Sequence, residues 1–215
     1  ITNSADHYLY QKEIGGYRLN TDFHELKFDM GRMFGFAYGE KENGAVFSHM
    51  AVMYANALYR RGFAKEGWKA LKTLAETALD FDTSRIYPGI PEYFRSDGRG
   101  MYHYLTGAAS WYMLTMITEV FGVRGNAGNL IFCPRLVAEQ FDAEGTASIS
   151  VTFAGKQLDI IYKNKNQKEF GSYSIVSADC ETKELKIVEN SYVVFPKELL
   201  QTLSDGTHQV TVTLD

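Results

Sequence analysis

The hydrophobic pattern of this chain changes its period near residue 125, and that change limits the fold more than any other feature. Before it, long apolar runs recur with a helical period. After it, short segments such as ASISVTF, KQLDIIYK and HQVTVTL alternate apolar and polar residues, as half-buried strands do. The stretch GVRGNAGN, residues 122–129, is rich in glycine and asparagine and is typical of a joint. We therefore predict two domains, a helical one over residues 1–124 and an all-β one over residues 125–215.

Three helices are predicted in the first half, at about residues 47–60, 64–79 and 105–121. The first and third carry almost no charge, which predicts burial on all faces, whereas the second has the single apolar stripe of a surface helix. This order is expected of a two-layer helical toroid, in which the inner helices run parallel and the outer helices return. The predicted fold class is therefore part of such a toroid followed by a β-sandwich.

Composition excludes several classes of function. The 22 Lys and Arg residues against 26 Asp and Glu leave a net charge of −4, and no basic run could follow a phosphate backbone, so nucleic acid is not expected as a partner. The sequence has no uncharged apolar stretch of about 18 residues, so no membrane span is predicted. The first residues lack a signal-peptide pattern. With no initiator methionine, the chain is expected to be either processed or, as the preferred interpretation, cut from a longer protein, which we expect to be cytoplasmic.

The cysteines and histidines do not predict a metal site. Cys133 and Cys180 fit no CxxC pattern and are expected to be free thiols in a reducing compartment. Four histidines show no paired ligand spacing: His7, His24, His103 and His208.

The starts of the first and third helices predict an anion site. If the two helices run parallel, their N-termini share one rim, where the sequence places His49 in FSHM and Thr106 and Gly107 in YLTGAASW. A helix N-terminus offers unpaired N–H groups and about half a positive charge, which favours an anion. Gly107 allows a close backbone approach, Thr106 supplies a hydroxyl and His49 can donate from its ring. The site would fit phosphate; the alternatives are a plain N-cap and a structural histidine.

Four motifs, in this order and at these spacings, resemble the C-terminal part of glycoside hydrolase family 94: GEKENGAVFSH, ALYRRG, YHYLTGAASW and FGVRGNAGNLIFCPRL. This family comprises the inverting cellobiose and chitobiose phosphorylases and their β-1,2-glucan relatives. The resemblance covers residues 31–136 through motifs. It implies the last part of a six-hairpin α/α toroid followed by a β jelly-roll, and the related phosphorylases commonly form homodimers.

The resemblance also implies roles for individual residues. His49, the Thr106 hydroxyl and the Gly107 backbone would contact inorganic phosphate, and Lys41 and Glu42 would bind the leaving sugar in the acceptor subsite. The implied reaction is reversible phosphorolysis of a β-linked disaccharide or oligosaccharide to an inverted sugar 1-phosphate. Phosphate is the co-substrate, and no cofactor is implied.

The general acid implied by the resemblance is an aspartate upstream of this chain, so no catalytic residue is assigned here. We expect the parent protein to be active and the isolated chain to be inactive. The expected partners of the chain are the rest of the parent polypeptide, sugar and phosphate. Three alternatives stay open. Lys41 and Glu42 could belong to a solvated turn, the chain could be a non-catalytic carbohydrate-binding or scaffold segment of a larger glucan-synthesising protein, or the parent could be a hydrolase or lyase.

Overall fold

A computed structural model describes residues 1–87, 89–103 and 107–215. These residues form two compact units, Ile1–Thr115 and Met116–Asp215, which we call the N-terminal unit and the C-terminal unit. The domain limits expected from the sequence stay a prediction. In the described part of the chain, no helix has the length and the apolar character needed to cross a bilayer.

The N-terminal unit combines helices with very short strands. Its helices are α1 (Thr2–Tyr8), α2 (Ser48–Arg60), α3 (Ala64–Leu79), α4 (Phe81–Ser84) and α5 (Gly107–Thr115), and its 3-10 turns are Lys12–Ile14, Phe28–Met30 and Arg32–Gly35. Its strands are β1 (Tyr10–Gln11), β2 (Gly16–Tyr17), β3 (Val46–Phe47), β4 (Tyr93–Phe94) and β5 (Gly100–Met101). β1 pairs with β2, and β3, β4 and β5 form an antiparallel sheet with β4 in the middle.

Helix α2 lies at the centre of this unit and packs against both α3 and α5. The Tyr59 ring of α2 is fully buried and lies close to Gly67 of α3, where a Cβ atom would be 2.6 Å from Tyr59 Cδ2. Towards α5, Asn56 Nδ2 donates to Thr115 Oγ1 at 3.1 Å. The first residues of α2 and α5 also meet, so these two helices run side by side in the same direction.

The α/α toroid predicted for this half of the chain is wrong. The described residues contain three helices longer than two turns, α2, α3 and α5, and no ring of six helical hairpins. Burial of the first and third helices on all faces is wrong as well, since Met50 is 45% exposed and Met113 is 59% exposed. An apolar helix indicates that neighbours cover it, but its sequence does not say how many neighbours there are or that they are helices.

The C-terminal unit consists mainly of strands. It begins with a π-helical turn, Met116–Val120, and contains a 3-10 turn, Ala138–Gln140, and one helix, α6 (Lys197–Gln201). The strands are β6 (Val123–Asn126), β7 (Asn129–Phe132), β8 (Thr146–Phe153), β9 (Lys156–Lys163), β10 (Ile175–Cys180), β11 (Lys183–Glu184), β12 (Lys186–Val188), β13 (Tyr192–Phe195) and β14 (Thr207–Leu214). They form a five-stranded sheet in the order β11-β10-β14-β9-β8 and a four-stranded sheet in the order β12-β13-β7-β6.

Strands β9 and β14 contribute much of the core of this unit. Their alternate residues are buried: Leu158, Ile160 and Tyr162 on β9, and His208, Val210, Val212 and Leu214 on β14. The two strands pair in parallel, from Thr207 opposite Gln157 to Thr213 opposite Lys163. A jelly roll is built from antiparallel strands, so the predicted jelly-roll is wrong at this pair. Alternation of apolar residues is the same in both kinds of pair, and therefore it could not reveal the strand direction.

His208 is buried in β14 with an acceptor at each ring nitrogen. Nδ1 lies 2.8 Å from Glu181 Oε1, and Nε2 lies 3.0 Å from the carbonyl oxygen of Ser204. An imidazole can donate to two acceptors only when both nitrogens are protonated. The hydrogen bond to Glu181, followed by that to Ser204, raises the pKa of His208 above its usual 6.5. The stabilisation is therefore full below the unfolded-state pKa and is lost as the pH rises through the higher folded-state pKa.

For His208→Gln, we expect the loss in free energy of unfolding to be larger at about pH 5.5 than at about pH 8.5, because only protonated His208 makes both bonds. Urea unfolding of the variant and the unchanged protein at the two pH values measures the difference. Equal losses at both would mean that His208 does not change its charge on unfolding in this range.

Candidate functional site

Two helix starts meet where the anion site was predicted. His49 is the second residue of α2, and Gly107 is the first residue of α5. A Cβ atom at Gly107 would lie 2.5 Å from Cε1, 2.7 Å from Nδ1 and 2.9 Å from Nε2 of His49, so the imidazole occupies the space that a side chain at 107 would need. The His49 ring also lies near Trp111 of α5, with centroids 5.8 Å apart. The structure brings His49 and Gly107 together; Thr106 lies outside the described residues.

A hydrogen bond to the sheet determines where α2 begins. Phe47 keeps an extended backbone, with φ −85° and ψ 107°, and the N–H of Ser48 donates to the carbonyl of Glu92 at 2.9 Å. The helix follows at once, and no described side chain caps it. The N–H groups of the first turn after Ser48 therefore keep their capacity to bind an anion.

Several buried polar atoms around this helix start have no hydrogen-bond partner among the described residues. They are Ser48 Oγ and His49 Nε2 in α2 and Glu92 Oε2 before β4, and Glu42 Oε2, earlier in the chain, is unpaired as well. Leaving a buried polar atom unpaired costs about 1–3 kcal/mol, and such atoms usually find a partner in the native state. Unpaired buried atoms at Ser48, His49 and Glu92 make this helix start a candidate ligand site, and others occur elsewhere, at Arg18 Nε and Trp68 Nε1. Sequence reasoning missed Ser48 and Glu92, because neither residue stands in a pattern that separates it from an ordinary helix start or loop.

The segment KENG forms a tight turn with Lys41 and Glu42 at its tip. The N–H of Asn43 donates to the carbonyl of Glu40 at 3.0 Å, and the N–H of Gly39 donates to the carbonyl of Asn43 at 2.6 Å. Lys41 has a φ of 44°, in the left-handed region that a lysine rarely adopts. A backbone outlier of this kind favours a functional role. Sugar binding by Lys41 and Glu42 stays a prediction.

Residues distant in sequence hold this turn in place. Asn20 Oδ1 accepts from the N–H of Gly44 at 2.9 Å, and Asn20 Nδ2 donates to Asn43 Oδ1 at 3.3 Å. Asn43 Nδ2 donates to the carbonyl of Phe36 at 2.8 Å, and the Arg18 guanidinium donates to the carbonyl of Gly44. Sequence reasoning did not identify Arg18 and Asn20, because an isolated arginine or asparagine carries no local signal of such contacts.

Two cations lie at the tip of the turn. Arg32 Nη2 pairs with Glu42 Oε1 at 3.0 Å. Lys41 Nζ lies 4.3 Å from the centroid of the Tyr102 ring, a cation–π distance, and makes no ion pair with a described carboxylate. The Tyr102 ring in turn lies 6.0 Å from that of Tyr93 in β4. The ammonium of Lys41 thus has no described carboxylate partner, and Glu42 keeps one buried oxygen, Oε2, without a described partner.

Glu40, beside the tip, has a structural role. Its Oε2 accepts from the Tyr93 hydroxyl at 3.0 Å, and its Oε1 pairs with Arg95 Nε at 3.3 Å. Burial, and then the hydrogen bond to Glu40, raises the pKa of Tyr93, so this phenol remains a donor at neutral pH. Both oxygens of Glu40 are engaged, whereas Glu42 and Glu92 each have one buried oxygen, Oε2, without a described partner.

No protein-family model matches this chain. Among curated proteins, the chain is similar to a cellobionic acid phosphorylase of Neurospora crassa, with 24% identity over 205 residues. The similarity covers 88% of this chain and 23% of that protein, so the chain spans less than a quarter of the length of this relative. Over most of its length, the chain is therefore similar to a segment of a phosphorylase.

Proposed function

We propose that the protein containing this chain is an inverting glycoside phosphorylase, in which this chain binds the phosphate and the leaving sugar. The observation that carries the proposal is the contact of the His49 ring with Gly107 at two helix starts, with His49 Nε2 buried and unpaired among the described residues. The similarity to a phosphorylase over most of the chain supports the same activity.

Phosphorolysis needs the anion to be placed rather than activated. A phosphate oxygen attacks the anomeric carbon, the glycosidic bond on the opposite face breaks, and a general acid protonates the departing sugar oxygen. An inverting hydrolase needs a second carboxylate to activate water, whereas phosphate is already a nucleophile and needs alignment and charge balance. In this proposal three groups align the phosphate and balance its charge: the ring N–H of His49, the hydroxyl of Thr106 and the backbone N–H of Gly107. An aspartate outside this chain supplies the proton.

The tip of the KENG turn would bind the leaving sugar. The unpaired oxygen of Glu42 can accept from sugar hydroxyls, and the ammonium of Lys41 can donate to them. The relative is named for cellobionic acid, an acid by its name, and the tip carries the two cations Arg32 and Lys41. Because cations bind carboxylates through charge-assisted hydrogen bonds, we include in the proposal a leaving sugar that bears a carboxylate.

The test is an assay of the full-length polypeptide with cellobionic acid and with cellobiose, each in the presence and absence of phosphate. Release of a sugar 1-phosphate that depends on phosphate, with the anomeric configuration inverted in the NMR spectrum, supports the proposal. Hydrolysis that proceeds without phosphate would identify a hydrolase instead. Absence of turnover with both sugars and phosphate would count against a phosphorylase of this substrate class.

In the synthetic direction, Lys41→Met is expected to raise the KM for a sugar-acid acceptor by about 10- to 100-fold, because it removes a charged hydrogen bond of roughly 1.5–3 kcal/mol. The KM for sugar 1-phosphate should remain nearly the same. Steady-state kinetics with each substrate varied in turn measure the two effects. Lys163→Met, on an exposed position of β9, is the matched control, and equal rises in both KM values for Lys41→Met would contradict the assignment.

A further inference from the structure

Ser48 and Glu92 form a pair at the edge of the anion site. Phe47 of β3 lies opposite Tyr93 of β4 in the antiparallel register, so the next pair is Ser48 and Glu92, joined by the 2.9 Å bond from the Ser48 N–H to the Glu92 carbonyl. Glu92 is therefore held beside the first residue of α2, next in the chain to His49.

Glu92 lies just before β4 and meets the start of α2 through its backbone. Its carbonyl accepts from the Ser48 N–H, whereas the next residue, Tyr93, stacks on Phe47 with ring centroids 6.4 Å apart and contacts Tyr102. The backbone neighbour of Glu92 on this side is therefore the first residue of α2.

The unpaired atoms of this pair differ in what they can bind. Ser48 is completely buried, with 0% of its surface exposed, and its Oγ has no partner among the described residues. Glu92 Oε2 is buried and has no described partner either. The N–H of Glu92 donates to the carbonyls of Met101 and Tyr102 at 3.1 and 3.0 Å, which keeps its backbone in place. A hydroxyl can donate to an anion, but a carboxylate can only accept, so the ligand must present a proton to Glu92.

We propose that Glu92 selects phosphate over fully ionised anions by accepting a hydrogen bond from the P–OH group of the bound phosphate. Ser48 Oγ and the His49 ring donate to its unprotonated oxygens. Near neutral pH, inorganic phosphate retains at least one proton, whereas sulfate retains none and would place an oxygen lone pair against the carboxylate. The Glu92 carboxylate would thus attract phosphate and repel sulfate, although both anions have the same shape.

This inference rests on the proposed function and adds a step to it. Holding the phosphate proton on the oxygen next to Glu92 leaves an unprotonated oxygen to attack the anomeric carbon. The proton stays on the phosphoryl group of the sugar 1-phosphate that forms, and the departing sugar oxygen takes its proton from the general acid. No proton is transferred to Glu92, which makes it a binding and selectivity residue rather than a base.

The experiment compares the unchanged full-length polypeptide with Glu92→Gln, which keeps the side-chain shape but can donate to sulfate. We expect the KM for phosphate to stay within a few-fold, because the amide oxygen of glutamine still accepts from the P–OH group, and the inhibition constant of sulfate to fall about 10-fold, in line with the gain of one hydrogen bond to a charged group. The ratio of the sulfate inhibition constant to the KM for phosphate should then fall roughly 10-fold. Glu144→Gln, in an exposed turn of the C-terminal unit, is the matched control and should leave the ratio unchanged.

Ser48→Ala distinguishes selectivity from general damage to the site. Loss of a donor should weaken phosphate and sulfate to a similar degree, so the ratio of the two constants stays near that of the unchanged protein while both constants rise. If Glu92→Gln also weakens both anions equally, or changes neither, the proposal for Glu92 is overturned.

Equilibrium titration with inorganic phosphate and with sulfate separates this inference from the proposed activity. A polypeptide that binds phosphate in preference to sulfate, loses that preference in Glu92→Gln and turns over no sugar would uphold the role of Glu92 and overturn the phosphorylase. A polypeptide that turns over sugar with phosphate, but still prefers phosphate to sulfate in Glu92→Gln, would support the phosphorylase and overturn the role of Glu92.

Discussion

Gly107→Ala in the full-length polypeptide is expected to lower kcat/KM for phosphate by about 100-fold, since displacing a catalytic contact by about 1 Å costs that much. The new methyl group would lie 2.5–2.9 Å from three atoms of the His49 ring, so the ring must move. Gly107 does not have a positive φ, and alanine is the better helix former by about 1 kcal/mol. The fold should therefore tolerate the change while phosphate binding does not. Steady-state kinetics with phosphate varied measure the loss.

A double-mutant cycle with His49→Ala tests whether the effect passes through the imidazole. His49→Ala alone is expected to lower kcat/KM for phosphate about 100-fold, the effect of removing one donor to a developing or bound anion. In that background Gly107→Ala has no ring to displace and should cost little further, so the two losses are strongly non-additive. Losses that multiply independently would mean that Gly107 and His49 do not act at one site.

Gly122→Ala is expected to destabilise the C-terminal unit by about 3–5 kcal/mol, as the sum of an unfavourable backbone conformation and an overlap that cannot relax easily. Gly122 has a φ of 69°, and a Cβ atom there would lie 1.9 Å from the carbonyl oxygen and 2.1 Å from the carbonyl carbon of Cys133. These are backbone atoms, tied by the bond from the Cys133 N–H to the Gly122 carbonyl at 2.9 Å. They cannot move without breaking the start of the β6–β7 hairpin.

Thiol labelling measures this loss within the unit concerned. Cys180 is a free cysteine buried in β10, so the urea concentration at which it becomes reactive reports the unfolding of the C-terminal unit. Gly155→Ala is the matched control, since Gly155 has a φ of 77° but no atom within 4 Å of the added Cβ, and its cost should be about 1 kcal/mol from backbone strain alone. A Gly122→Ala loss no larger than that of Gly155→Ala would show that the backbone moves freely here.

The long helices of the first half could be predicted with little more than periodicity, whereas the short helices α1 and α4 were not predicted. The helices expected at about residues 47–60 and 64–79 correspond to α2 and α3, because charge and apolarity along these segments follow the helical period locally. The third predicted helix, at residues 105–121, corresponds to α5 followed by a π-helical turn. No residue type in the sequence predicts this change of hydrogen bonding. The prediction of a toroid was wrong because it concerns the tertiary arrangement of the helices, which depends on contacts that the local pattern does not encode.

The residues of the candidate site also fall into two groups, those predicted from the sequence and those found only in the structure. His49 and Gly107 were predicted from helix starts, where a general property of the backbone favours an anion, and the structure brings the two residues together. Glu92, Ser48 and Asn20 were not predicted, because their significance lies in the register of β3 against β4 and in the contacts behind a turn. Those contacts join segments far apart in the chain, and a single sequence does not show which distant segments come together.

The sequence by itself determined where the long helices α2 and α3 lie and which segments of the second half alternate, and it placed a histidine, a glycine and a charged turn where local chemistry suits an anion and a sugar. Only the tertiary structure decided that α2 and α5 leave faces exposed, that β9 and β14 run parallel, and that Glu92 lies beside the start of α2. The physical reason is that helical and strand periods are set by neighbouring residues, whereas strand direction, cross-strand pairs and unpaired buried atoms depend on which distant segments come into contact.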